Sequence, residues 1–361
     1  MRDEWPLGPF EKFDAANPCL APDAATTFDC RLAGPVAWEA KDVFNPAAVM
    51  RDGKVCLLYR AEDTVGRFHG TSRIGLAESE DGLHFTRRPT PVLYPDHDAY
   101  QSLEWEGGCE DPRIVEREDG IYVLTYTAFD GSVARLCVAS SHDLMHWRKH
   151  GPAFGATHAE WWSKSGAIVC RRQGERLVAT RIQGRYWMYW GESNLYVATS
   201  DDLMAWTPVM TAHPMARRLV IEGASYSIEQ ETVAPAPLAV LHPRPGRFDS
   251  LLVEPGPPAL LTAHGIVLIY NGANSSTTGD PALPPRAYSP GQVVFDPADP
   301  TAVIWRCQMP FLKADRPYEI AGQVNHVVFV EGLVPFGGRW LLYYGTADSL
   351  IGVATGPAVG E

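Results

Sequence analysis

Five strongly apolar runs, each closing on a tyrosine, recur along the chain: Val55-Cys-Leu-Leu-Tyr59, Tyr122-Val-Leu-Thr-Tyr126, Tyr186-Trp-Met-Tyr189, Ile266-Val-Leu-Ile-Tyr270 and Trp340-Leu-Leu-Tyr343. Their final tyrosines stand 67, 63, 81 and 73 residues apart. Short apolar runs of this kind, rich in β-branched and aromatic residues, predict buried strands. Three of them are followed by a second unit: Leu76-Ala-Glu-Ser-Glu-Asp-Gly-Leu-His-Phe85, Val138-Ala-Ser-Ser-His-Asp-Leu-Met-His-Trp147 and Val197-Ala-Thr-Ser-Asp-Asp-Leu-Met-Ala-Trp206. Here a strand ends in small residues, an Asp turn reverses the chain, and an aromatic opens the next strand. Ile351-Gly-Val-Ala-Thr355 repeats that strand without its turn. No stretch keeps a helical period over about 11–18 residues.

A unit of about four short strands cannot bury both faces of its own sheet, whereas five such sheets packed radially can. The expected fold is therefore all-β, a five-bladed β-propeller forming one domain over residues 1–361, with a β-sandwich as the plainer alternative. The 32 glycines and 30 prolines suit many tight turns. Residues 1–40 read as an N-terminal extension ahead of the first blade. Residues 217–237 read as an insertion that lengthens the third interval between tyrosines. A loop so long is usually functional or disordered, and it is expected over or beside the mouth of the site.

The net charge of −12 argues against a nucleic-acid partner, which needs a basic patch, and against an anionic membrane surface. No run of about 18 apolar residues predicts a membrane span. The opening Met-Arg-Asp-Glu-Trp-Pro lacks the apolar stretch of a signal peptide. Seven scattered cysteines include no Cys-x-x-Cys pair, and the eleven histidines show no metal-ligand spacing. The expectation is a cytoplasmic protein with reduced cysteines and no metal or cofactor.

The densest chemistry lies in Gly107-Gly-Cys-Glu-Asp-Pro-Arg-Ile114, just ahead of the second apolar run. Glu110 and Asp111 stand beside Arg113 and a φ-locking proline, which can hold an acid rigidly. Taken alone, the same turn reads equally well as a salt-bridged structural turn. Together with Phe44-Asn-Pro-Ala47, Leu58-Tyr-Arg-Ala61 and Tyr344-Gly-Thr-Ala-Asp-Ser349, it resembles glycoside hydrolase family 130 from about residue 40 to 355. The resemblance implies a five-bladed propeller acting on β-mannosides. It implies Asp111 as general acid, with Asn45, Arg60 and Asp348 binding the sugar of a mannose-containing oligosaccharide; Arg113 and Asn271 are further substrate-binding candidates.

The family divides by acceptor. Its phosphorylases cradle phosphate with a Lys before Gly-Pro-Pro and a His in Tyr-His-Gly. The matching stretches here are Leu252-Val-Glu-Pro-Gly-Pro-Pro258 and Ile269-Tyr-Asn-Gly272, which carry Glu254 and Asn271. A carboxylate repels a phosphate dianion, and the lost His removes a donor. Trp162-Ser-Lys-Ser-Gly166 and Tyr189-Trp-Gly-Glu192 also match the hydrolytic branch. The expected activity is an inverting, exo-acting β-mannosidase, with β-1,2-linked manno-oligosaccharides as substrate. Asp111 would be the acid and Glu192 or Glu254 the base, separated by the roughly 6.5–9.5 Å that a water between them needs. Lys164 would position the Asp or sugar hydroxyls, or touch an anion. Trp161 and Trp162 would stack on a sugar or pack between blades. A mannoside phosphorylase and a non-catalytic carbohydrate-binding propeller are the rival readings.

Overall fold

The computed structural model describes residues 5–68, 70–212, 218–221, 224–227 and 235–358. Within them regular structure is almost entirely β. The two α-helical turns, Gln101–Glu104 and Pro317–Ile320, have four residues each.

Each tyrosine-ended run is a central strand with antiparallel neighbours on both sides. Lys54–Glu62 lies between Asp42–Arg51 and Ser72–Ser79, and Tyr122–Phe129 between Gly108–Glu116 and Ala134–Ser141. Arg185–Trp190 pairs with Ala167–Gln173 and Leu195–Ser200. Gly265–Ala273 lies between Leu252–Pro255 and Tyr288–Asp296, and Arg339–Thr346 between Val328–Phe336 and Leu350–Pro357. These centres are continuous apolar runs because both faces are covered.

The five repeat tyrosines, Tyr59, Tyr126, Tyr189, Tyr270 and Tyr343, are fully buried. A buried phenol needs a hydrogen-bond partner, and each hydroxyl has one: Glu39, Glu104, the Pro300 carbonyl, Asp249 and the Gly82 carbonyl respectively. The acids are in turn matched by cations, Arg87 on Glu39, Lys149 on Glu104, and Arg244 and Arg306 on Asp249.

The predicted Asp turns form alike in all three copies. Asp81, Asp143 and Asp202 accept the N–H groups two and three residues on, while Ser79, Ser141 and Ser200 accept the N–H of the residue directly after each Asp. The aromatics that follow pack between neighbouring sets. Phe85 meets Tyr343 edge-on at 5.7 Å, and the backbone N–H of Trp206 donates to the Ala153 carbonyl at 2.9 Å. Burying one such side chain contributes about 1.5–3 kcal/mol.

Short parallel bridges join successive sets: Ser72 with Gly108, Val178 with Glu116, Val169 with Ala259, and Tyr288 with Val327. The Val43 N–H donates to the Ser349 carbonyl at 3.2 Å, which ties the fifth set to the first.

Two expectations about chain ends and loops are refined. Within the expected N-terminal extension, Glu11–Lys12 forms a strand on the edge of the fifth set, opposite Thr355 and Ala354. Lys12 then reaches Asp315 and the buried Glu319, each at 2.6 Å. Two residues are too short a strand to announce themselves in the sequence. The expected insertion opens where Met210–Thr211 pairs with Ala236–Pro237, and it contains a hairpin, Arg218–Ile221 against Ala224–Ser227. Its remaining residues, 217, 222–223 and 228–234, lie outside the described residues.

Lys12→Met should destabilise the protein by about 3 kcal/mol, because it strips the cation from a buried carboxylate. Equilibrium denaturation checks this, and a loss under about 1 kcal/mol would mean that the terminal strand is not held as described.

Candidate active site

Four residues at one cavity have an unusual backbone state, three of them on or just before the first strands of the first three sets and one in the turn after the central strand of the fifth. Asn45, Asp111, Ser165 and Asp348 all have positive φ, at 46°, 47°, 57° and 52°. Left-handed backbone costs an ordinary L-residue about 1–2 kcal/mol and is tolerated best by Asn and Asp. At Asn45 and Asp111 it coincides with register breaks, between Phe44 and Pro46 and between Glu110 and Arg113. Such bulges re-aim a side chain out of the ladder. Here they turn an amide and a carboxylate into the cavity. Asn45 also depends on Gly345, where an added Cβ would lie 2.3 Å from its Oδ1.

The cavity has a volume of about 150 Å³, and Asn45, Arg60, Asp111, Lys164, Glu192, Glu254 and Asp348 line it together. Phe44, Tyr288, Val324, Val327 and Phe329 complete the wall. Seven of the nine sequence-derived candidates therefore meet in one place.

Arg113 and Asn271 do not, and the substrate-binding role expected of them is corrected. Arg113 is buried beneath the cavity and gives its N–H groups to the carbonyls of Gly256, Pro255 and Asp111, at 2.9, 2.7 and 3.2 Å. Asn271 spends its amide on the Val330 backbone, donating at 2.9 Å and accepting at 2.8 Å. Both brace the strands under the site. Trp161 packs on His158 with ring centroids 3.9 Å apart, whereas Trp162 is 54% exposed and donates its indole N–H to Glu192 at 2.7 Å.

Asp111 is the most heavily partnered acid of the cavity. Its Oδ1 accepts from Asn45 at 3.0 Å and from Arg60 at 3.1 Å, and its Oδ2 lies 3.5 Å from the Lys164 ammonium. Burial works to raise its pKa. Arg60, then Lys164, the Asn45 amide and Arg113 outweigh that, and hold the carboxyl well below the usual range. Arg60 also binds Glu62 at 2.7 Å and Glu110 at 3.1 Å, and lies over the Phe44 ring at 4.7 Å.

Glu254 behaves oppositely. It accepts a short hydrogen bond from the Ser165 hydroxyl. Burial first, and the nearby Glu192 charge, push its pKa up to about 7 despite Lys164 and Arg113. Asp348 also rises to about 7, mainly through burial, with Asp111 and Glu62 adding to it against the pull of Arg60. One ionised acid and two that titrate near neutrality thus share the cavity, which is the pattern of a proton-transferring site.

A further acid was missed by sequence reasoning. Glu331 sits at a bulge between Val330 and Gly332, fully buried, 3.5 Å from Arg113 Nη1. Neither of its oxygens has a hydrogen-bond partner among the described residues. Its signal was positional: Val330-Glu-Gly332 stands at the start of the fifth set as Val253-Glu-Pro-Gly256 stands at the start of the fourth. Tyr288 and Phe329 carried no motif, and enter the wall through strand position alone.

An acid-rich cavity at the meeting point of several strand sets, with carboxyls shifted toward neutrality, is the kind of site in which an enzyme moves protons. The comparisons agree. A family model described as β-1,4-mannooligosaccharide phosphorylase, that of glycoside hydrolase family 130, matches residues 10–359. A 1,2-β-oligomannan phosphorylase from Thermoanaerobacter sp. strain X514 is 30% identical over 88% of this chain and 90% of its own length. A solved glycosyl hydrolase from Bacteroides ovatus is 44% identical, with TM-score 0.87 over 97% of this chain and 94% of the other. Another solved structure, 43% identical with TM-score 0.88 over 98% and 95%, comes from work on family members that are glycoside hydrolases targeting β-1,2 mannosidic linkages in Candida mannan. The chain belongs to glycoside hydrolase family 130.

The raised carboxyls have a consequence for stability. Glu254 and Asp348 ordinarily titrate at 4.5 and 3.8, so the folded protein holds extra protons up to about pH 7 and loses stability as pH rises through that window. Glu254→Gln and Asp348→Asn should each raise the melting temperature at pH 8, with a smaller gain at pH 5. Equal shifts at both pH values would contradict the assignment.

Proposed function

We propose that this family 130 chain is a five-bladed β-propeller hydrolase that releases mannose, with inversion, from the end of short β-1,2-linked manno-oligosaccharides. The five strand sets, bridged edge to edge and returned from the fifth to the first, support the propeller reading. The observation that carries the hydrolytic reading is the charge of the cavity. Four carboxylates, Asp111, Glu192, Glu254 and Asp348, face two cations, Arg60 and Lys164, among the described residues. Both cations already serve acids, Arg60 through three of them and Lys164 through Asp111. A phosphate dianion would meet net repulsion there, whereas a water molecule would not.

The solved structures at 43–44% identity whose descriptions speak of hydrolases add to this reading. The phosphorylase name carried by the relative at 30% identity supplies the second reading. The cavity volume lies below the roughly 300 Å³ at which sites for larger ligands begin. One sugar ring suits it, and that favours removal of a terminal residue. Seven free cysteines, six of them buried, fit a reducing cytoplasm.

In this mechanism Asp111 delivers a proton to the glycosidic oxygen, and Glu254 or Glu192 takes one from the attacking water. Trp162 and Ser165 hold the two glutamates in place. Arg60 and Lys164 hold Asp111 as an anion, so it must take up a proton from a neighbour before it can act as the acid. Glu254 and Asp348, which titrate near 7 in the same cavity, are the nearest donors by pKa. Asn45 and Arg60 fix the carboxylate for the sugar to meet.

Incubation with β-1,2-mannobiose should yield two free mannoses at the same rate with or without inorganic phosphate. Mannose 1-phosphate as main product would establish the phosphorylase instead.

Asp111→Asn should lower kcat by at least about a hundredfold, the usual scale of acid–base catalysis, with little change in KM. Turnover near the wild-type rate would make Asp111 a structural residue.

A further inference from the structure

Outside the cavity, three aromatic rings from three connections stand in a row on the side where Trp162 touches Glu192. Phe68 lies in the connection between Lys54–Glu62 and Ser72–Ser79. Phe129 ends Tyr122–Phe129, and Trp162 precedes Ala167–Gln173. The ring centroids of Phe68 and Phe129 are 6.1 Å apart, and those of Phe129 and Trp162 are 6.4 Å apart. The planes are inclined by 40° and 71°, so the rings form steps rather than one flat stack.

Two glycines seat the row. A Cβ at Gly131 would fall 2.0 Å from the Phe68 ring, and one at Gly107 would fall 2.4 Å from the Phe129 ring. The rings therefore rest directly on neighbouring backbone, and no side chain there is compatible with their positions. At the outer end the Arg67 guanidinium lies 5.2 Å from the Phe68 centroid. Trp162, at 54% exposure, is among the most exposed large apolar residues described. An aromatic placed so openly beside an acidic cavity marks a contact surface rather than core packing.

We infer that Phe68, Phe129 and Trp162 form a stepped ledge that stacks the successive mannose units on the leaving-group side of the scissile bond. The inference rests on the β-mannoside reading above and adds to it a preference for chain length. The cavity holds one ring, and Trp162 binds Glu192 on its wall, so a chain leaving the cavity passes Trp162 first, then Phe129, then Phe68. Each ring-to-ring step is on the scale of one pyranose. The apolar C–H face of a pyranose suits an aromatic face, and rigid aromatics lose little conformational freedom on binding. Trp162 has a second duty, since its N–H orients Glu192; Phe129 and Phe68 have only the ledge.

The test is a length series, with kcat/KM measured for β-1,2-mannobiose, mannotriose and mannotetraose. Wild type should favour the longer substrates. Phe129→Ala and Phe68→Ala should each cut the tetraose-to-biose ratio by about fivefold, chiefly through KM, on the scale of one lost aromatic contact. Thermal unfolding checks that the variants fold. If Phe129→Ala does not, Phe68→Ala decides alone, because its ring sits in a surface connection. Turnover of mannobiose with a flat wild-type series, or a ratio unchanged in Phe68→Ala, overturns the ledge and leaves the functional reading standing. Absence of turnover on every β-mannoside overturns the functional reading and the ledge with it.

Discussion

Arg113 holds the acids of this protein in one frame. Its guanidinium is almost wholly buried and forks between the Asp111 carbonyl in the second strand set and the Pro255 and Gly256 carbonyls in the fourth. Glu331, from the fifth, faces it at 3.5 Å. The planar five-donor fork suits three carbonyls at once, and a lysine ammonium would not reproduce it. Each abandoned carbonyl would cost about 1–3 kcal/mol, and Glu331 would be left as a buried acid with no cation. Burial, opposed by Arg113, already holds the Glu331 carboxyl well above the usual range. The separation of Asp111 from Glu254, on which any choice between mechanisms depends, is thus set one layer below the cavity.

Above that layer the backbone itself is bent to purpose. Asn45 and Asp111 occupy left-handed bulges followed by Pro46 and Pro112, whose fixed φ returns the chain to the strand. Strain of this kind persists only where surrounding contacts over-determine it. For Asn45 the requirement extends to Gly345, which leaves room for the amide oxygen. Asp348 reaches the same cavity from the turn after Arg339–Thr346.

The parts of this architecture that repeat could be read from the residues. The five tyrosines and three Asp turns recur in sequence because each meets the same physical need in its own set, a partnered phenol or a capped reversal. Asn45, Arg60, Asp111, Asp348 and Glu192 were legible through motifs, and Glu254 through contrast with a cationic site. What stayed hidden was direction. Arg113 sits two residues from Asp111, and nothing in Glu-Asp-Pro-Arg says that one side chain faces the cavity while the other points beneath it. The register break between Glu110 and Arg113 decides that, and it is a property of the pairing rather than of the composition. Asn271 misled in the same way, since an asparagine that could meet a ligand can equally satisfy the Val330 backbone. Glu331 needed the five first strands laid over one another, and Glu11–Lys12 needed its partner strand near the far end of the chain.

Gathering so many carboxylates in one small cavity opposes folding, because each loses hydration and feels the others. The chain meets that opposition in two ways. Around Asp111 it concentrates Arg60, Lys164 and the Asn45 amide, which keeps the charge. Around Glu254 and Asp348 the cations are outweighed by burial, and the carboxyls rise to about 7 and hold protons instead. The two solutions differ in chemistry as well as in stability. A fixed anion can orient a sugar before reaction, whereas a group balanced near neutrality can exchange a proton with water during it. An arrangement built for stability alone would fill the cavity with apolar side chains, and Phe44, Val324, Val327 and Phe329 on its wall show that such residues were within reach. The acids share that wall and face the space that a β-mannoside would enter.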